Sequence, residues 1–152
     1  MAPTTANKVA DYILCYSHSE GDYISNLKIQ KLVYYAQAWF LALHDEPLFE
    51  DHIQAWVHGP VQPKLFRRFE KYGWKPILEE PKCPKFKDER IKPHLDEIMN
   101  VFGDCTAHHL SRLTHQEDPW RLTRRGLGPD QPSESIISHE AMRDYYKRLA
   151  AQ

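Results

Sequence analysis

The sequence predicts a mainly α-helical fold: about six helices around one central buried helix, with a short β-strand or hairpin between helices 2 and 3. Three observations predict it. Apolar residues recur at helical spacing through most of the chain, and Ser, Thr or Pro stands where each helix would begin. One interval, Ser25–His44, is apolar or aromatic on several sides, as a helix touched all round must be. A single segment, His52–Val57, alternates instead.

Thr4 or Thr5 caps the first helix, which runs to about Ser17 with Val9, Tyr12, Ile13 and Tyr16 on one face. Ser19–Asp22 breaks it. Ser25 caps the second helix, which runs to about His44. Leu27, Leu32, Tyr35, Ala36, Trp39 and Leu43 form its main stripe, and Ile29, Val33 and Phe40 widen it. Asp45-Glu46-Pro47 stops it. Ile53, Ala55 and Val57 then alternate with His52, Gln54 and Trp56 in a strand pattern, and Gly59-Pro60 ends it. The expected pairing partner is the stretch near Ile77 and Leu78.

The third helix carries Val61, Leu65, Phe66, Phe69 and Tyr72 inward, with Gly73 as its cap. Residues 74–90 form a Pro/Lys-rich loop with little helix capacity. Pro93 opens the fourth helix, which buries Leu95, Ile98, Met99 and Phe102 and closes at Gly103. Thr106 caps a short fifth, with Ala107, Leu110 and Leu113 inward. Asp118-Pro119 begins a brief turn carrying Trp120 onto the core. After a Gly/Pro/Ser-rich loop, Ser138 caps the last helix, with Met142, Tyr145, Tyr146 and Leu149 inward.

The 152 residues suit one domain, 1–152, with enough apolar content (41%) for a real core. Twenty Lys and Arg against 21 Asp and Glu leave a net charge of −1, so nothing draws the chain generally to nucleic acid or an anionic membrane. No apolar run reaches membrane-spanning length. Cys15, Cys83 and Cys105 are widely spaced, an odd set without a CxxC pair, and read as reduced thiols of a cytoplasmic protein.

No pattern points to catalysis, and the expectation is a protein that is not an enzyme. GxSxG, GxGxxG and the Walker sequence are absent. Among nine histidines, His108, His109 and His115 lie closest, but a chelating helical pair needs spacing of about three to five. We expect no metal and no cofactor. The basic-aromatic run KLFRRFEKY reads as a core stripe with a solvated face, since Phe66 and Phe69 match the apolar side.

Three ordered segments resemble a known family. They are LKIQKLVYYAQAW (Leu27–Trp39), IQAWVHGPVQPKLFRRFEKYG (Ile53–Gly73) and LSRLTHQEDPW (Leu110–Trp120). Together they resemble the Panacea antitoxin domain, met in SocA-like antitoxins and in the phage-associated GepA type, which suggests a prophage setting. The resemblance implies an antitoxin that neutralises a co-encoded toxin by direct protein–protein binding. Two alternatives stay open: an adaptor that presents the toxin to a cytosolic protease, and a DNA-contacting transcriptional regulator.

A protein binder needs an exposed patch of about 800 Å² per partner. The residues expected to supply it are those the stripes leave outside. Lys28, Lys31, Tyr34 and Gln37 follow at three-residue steps on the second helix. Gln62, Arg67, Arg68 and Lys71 lie on the third, with His58 at the turn between strand and helix. Trp56, opposite Ile53, Ala55 and Val57, completes the expected partner-binding set.

Overall fold

Helix α2 (Asn26–His44) is the axis of the molecule, and a computed structural model describes residues 2–152 around it. Ser25 caps α2 by accepting from Lys28 N, and Asp45, in the left-handed region at φ 56°, ends it. The other helices are α1 (Ala6–Ser19), α3 (Pro63–Phe69, extended by a 3-10 turn over Glu70–Tyr72), α4 (Ile91–Phe102), α5 (Ala107–Gln116), α6 (Asp118–Thr123) and α7 (His139–Ala150). Helices α1, α4, α5 and α7 all pack on α2, with α7 making the most extensive contact. Thr5, Thr106 and Ser138 cap α1, α5 and α7 through their side-chain oxygens. The mainly helical class and the placement of the β element between α2 and α3 agree with the sequence reading. The turn expected at Asp118-Pro119 is a short helix in its own right, with Pro in its first turn.

The β element is a hairpin, β1 (Gln54–Trp56) with β2 (Gly59–Val61), paired antiparallel in the register Gln54–Val61, Ala55–Pro60, Trp56–Gly59. This corrects the expected pairing with Ile77 and Leu78. Gly59-Pro60 does not end the β element; the chain turns back at Val57-His58, and Gly59-Pro60 open the return strand. Pro60 lies in the second strand opposite Ala55, and α3 starts only at Pro63. Ile77 instead ties its loop to the start of α2. Its N–H donates to Ile24 O at 2.8 Å and its side chain is buried, while Leu78 stays exposed. On the other side of β1, Ala55 N donates to Ser135 O and Ile137 N to Ile53 O, both at 2.8 Å.

The core runs along α2, from Ile13, Leu14 and Ile29 through Leu32, Val33 and Phe40 to Leu95, Leu110 and Tyr146. Only Leu27, Trp39, Leu43 and His44 of α2 escape full burial. Two expected stripe members are therefore on the outside: Leu27 is 37% exposed and Leu43 59%.

The converse correction is larger. Lys28, Lys31, Tyr34 and Gln37, expected on an exposed polar face, are buried, and so is Gln62. Polarity misled because buried loop backbone needs partners, and α2 supplies them. Lys28 Nζ donates to Gly103 O at 2.6 Å, and Lys31 Nζ to Pro60 O at 3.0 Å. Gln37 accepts from Leu48 N and donates to Phe49 O, both at 2.7 Å. The Tyr34 and Tyr146 hydroxyls meet at 3.0 Å. Gln62 accepts from Leu65 N at 2.9 Å, capping α3, and its amide donates to His52 O at 3.3 Å. Arg68 is half-buried, clamped between Asp11 and Glu79 at 2.5 Å each.

The cysteines also depart from expectation. Cys15 and Cys83 form a disulfide, and only Cys105 is free. Loop 74–90 folds back over α1 and brings the two Cα atoms to 5.2 Å, within bonding reach.

Candidate partner-binding site

A groove of about 680 Å³ opens between the N-terminal end of α2, the hairpin, α3 and the chain at residues 132–134. Its floor is Asn26, Gln30 and Lys31 of α2, with Leu27 at the edge. One wall is Trp56 packed edge-on against Phe66, ring centroids 5.0 Å apart. The Trp56 indole N–H donates to Gln54 Oε1 at 2.8 Å, so the aromatic face needs no further polar partner. Trp74 also lines the groove, 90% exposed, just after Gly73 at φ 59°. A Trp left in water beside an apolar groove is the composition of an interface anchor.

The polar floor is internally paired. Asn26 donates to Phe66 O at 3.1 Å and accepts from Gln30 Nε2 at 2.9 Å; Gln30 Oε1 accepts from Gln62 N at 2.9 Å. Lys31 has no solvent exposure and no carboxylate neighbour, and burial pushes its ammonium down to about 7. Its stem presses on the hairpin turn. At Gly59, φ is +120° and a Cβ would sit 2.6 Å from Lys31 Cε, so only glycine allows this approach.

A row of side chains from α5, α6 and the residue after it holds the hairpin from behind. Ser111 Oγ donates to His58 O at 2.7 Å, and His115 Nε2 to Val57 O at 2.9 Å. Trp120 Nε1 donates to Trp56 O at 2.8 Å, and Arg124 Nη1 to Ala55 O at 3.0 Å. Four consecutive carbonyls, 55 to 58, are thus each taken by one side chain. This fixes the strand that carries Trp56 and His58 into the groove.

Of the sequence-predicted set, Lys31, Trp56 and His58 line the groove. Gln62 and Tyr34 lie behind it in the core, and Lys28 and Gln37 serve other loops. Arg67 and Lys71 are exposed on α3 outside the groove, and Arg68 is turned inward to its carboxylates. Trp74, Leu27 and Glu70 were missed. Trp74 carried one usable signal, a large aromatic outside every helical stripe and directly after a capping glycine.

Among the described residues, no group of three or more His, Cys, Asp or Glu is placed to hold a metal ion. Among the same residues, no helix is long and apolar enough to cross a membrane. A second polar cluster lies away from the groove. Tyr35 and Tyr146 donate to Glu117 Oε1 at 2.6 and 2.9 Å. Burial raises the Glu117 carboxyl against the opposing pull of those two bonds. This cluster joins α2, α7 and the α5–α6 junction.

The fold and groove define a class: a helical scaffold that presents a pre-shaped apolar recess framed by aromatics. The chain belongs to the SocA-like antitoxin, Panacea domain family, whose model matches residues 29–121. It is similar to the antitoxin SocA of Caulobacter vibrioides (strain NA1000 / CB15N), 26% identical over 154 residues that cover 93% of this chain and 82% of that protein. No solved structure matches the chain. The matched span holds Gln30 and Lys31 of the groove's floor, the hairpin and α3, together with Ser111, His115 and Trp120 behind the hairpin.

Proposed function

We propose that this protein is an antitoxin that neutralises a co-encoded toxin by binding it directly, with the α2–hairpin–α3 groove as the contact face. The observation that supports this most is Trp74, almost fully exposed on an apolar recess that also has the packed Trp56–Phe66 pair in its lining. Rigid aromatic walls lose little entropy on binding and so favour affinity. Trp56 and His58 contact the partner from the hairpin, and Lys31 holds the hairpin in place. Lys28, Tyr34, Gln37 and Gln62 shape the scaffold from within. Arg67 and Lys71 extend the contact along α3. Neutralisation of this kind needs no catalytic step and no cofactor.

The test begins with the neighbouring reading frame. Expressed alone it should stop growth, and co-expression with this chain should restore growth and yield a co-purifying complex. A harmless neighbour, or one that never associates with this chain, contradicts the proposal.

A further inference from the structure

We infer that the groove takes an apolar segment of a partner polypeptide flanked by basic side chains, which Glu70 and Glu134 receive at the rim. This deepens the proposed function and rests on the protein acting as a direct binder.

The charges around the recess carry the inference. Glu70 and Glu134 both line it and both are exposed. Neither carboxylate takes part in an ion pair among the described residues. The one Lys or Arg of the lining does not offset them. Lys31, in the floor, has no solvent exposure and is bound to Pro60 O. Arg67 and Lys71 are exposed on α3 and its 3-10 extension but are not among the lining residues. Arg68 is held by Asp11 and Glu79. With His58 neutral, the accessible charge on the lining is therefore negative, beside apolar surface that includes Leu27, Trp56, Phe66 and Trp74.

Both carboxylates sit on fixed backbone. Glu134 precedes Ser135, whose carbonyl accepts from Ala55 N at 2.8 Å, and Glu70 starts the 3-10 turn that closes α3. An uncharged small molecule would use the apolar wall and leave both acids idle. A peptide with an apolar centre and flanking Arg or Lys uses both, and its charges steer its approach. An acid-flanked segment is repelled by the same rim.

The experiment uses the full chain and two short fluorescein-labelled peptides that share a Leu/Phe centre, one flanked by arginines and one by glutamates. Fluorescence anisotropy should show the arginine-flanked peptide binding at least about tenfold more tightly, with a preference that weakens as salt is added. The E70Q/E134Q variant, altered only at exposed positions, should bring the two affinities within about threefold. Equal binding by the wild-type chain, or binding of neither peptide, overturns the inference. A concentration-dependent dimer that W74A abolishes also overturns it, assigning the groove to a second copy. The two readings fail separately. Loss of all toxin protection by the wild-type chain removes the direct-binder reading. Intact, Trp74-dependent protection without discrimination between the peptides removes only the charge preference.

Discussion

Lys31 Nζ donates a single hydrogen bond, to Pro60 O at 3.0 Å, from a side chain with no solvent exposure. A lysine on the central helix thus holds the far strand of the hairpin through its backbone. Its ordinary value of 10.5 falls to about 7 in the folded chain because burial disfavours the ammonium. Between those two values the unfolded chain binds the extra proton, so stability rises with pH. The rise from this group is about 1.4 kcal/mol per pH unit, and it vanishes below pH 7, where both states are protonated. Urea titrations from pH 7.5 to 9.5 should show that slope in the wild type and lose it in K31M. An unchanged slope in K31M would place the proton elsewhere.

Gly59 and Lys31 are mutually constrained. G59A places a methyl group against Lys31 Cε in a backbone conformation that L-residues avoid. We expect a loss of about 2–4 kcal/mol by urea unfolding. A loss within experimental error of zero would show that the Lys31 stem yields freely.

Arg124 is buried and donates to Ala55 O, Gly128 O and Gln131 O at 3.0, 3.2 and 2.6 Å, with its guanidinium 5.2 Å from the Trp120 ring centroid. R124A leaves three carbonyls without that donor and should cost about 2–3 kcal/mol. R124K, a point charge without the planar fork, should recover only part of it. Hydrogen exchange should localise the loosening to residues 53–61 and 128–137. Uniform loosening across the helices would argue against the Arg124 side chain as a local clamp.

The Cys15–Cys83 bond closes a loop with a sequence separation of 68. On the chain-entropy account its reduction should lower stability by about 4 kcal/mol, and C15S/C83S should match the reduced wild type. Alkylation without reductant should label Cys105 alone; labelling of all three cysteines in freshly isolated protein would mean that the bond is not formed there.

Much of the scaffold was legible because caps and breakers are local chemistry. Ser25 and Asp45 bound α2, and Thr106 and Ser138 start α5 and α7 where their side chains predict. The hairpin partner was not legible, since Gly59-Pro60 reads as a terminator and only the approach of Lys31 explains the glycine in the return strand. The exposed and buried faces of α2 were partly inverted. Helical periodicity equates polar with outside, yet Lys28, Gln37 and Gln62 satisfy loop backbone within the fold. Ser111, His115, Trp120 and Arg124 were not seen as one set because their shared target, carbonyls 55 to 58, lies more than fifty residues away. Side-chain sequence carries no marker for a carbonyl it will meet.

The contact face itself is most directly tested by growth protection in cells carrying the toxin with wild-type chain, W74A/L27D, or E50Q as an exposed control away from the groove. Circular dichroism and expression level should match across all three, because Trp74 and Leu27 contribute little to the core. We predict that W74A/L27D binds the toxin at least about thirtyfold more weakly, roughly 2 kcal/mol, and fails to protect, while E50Q protects fully. Full protection by a folded W74A/L27D would contradict the groove as the toxin's docking face.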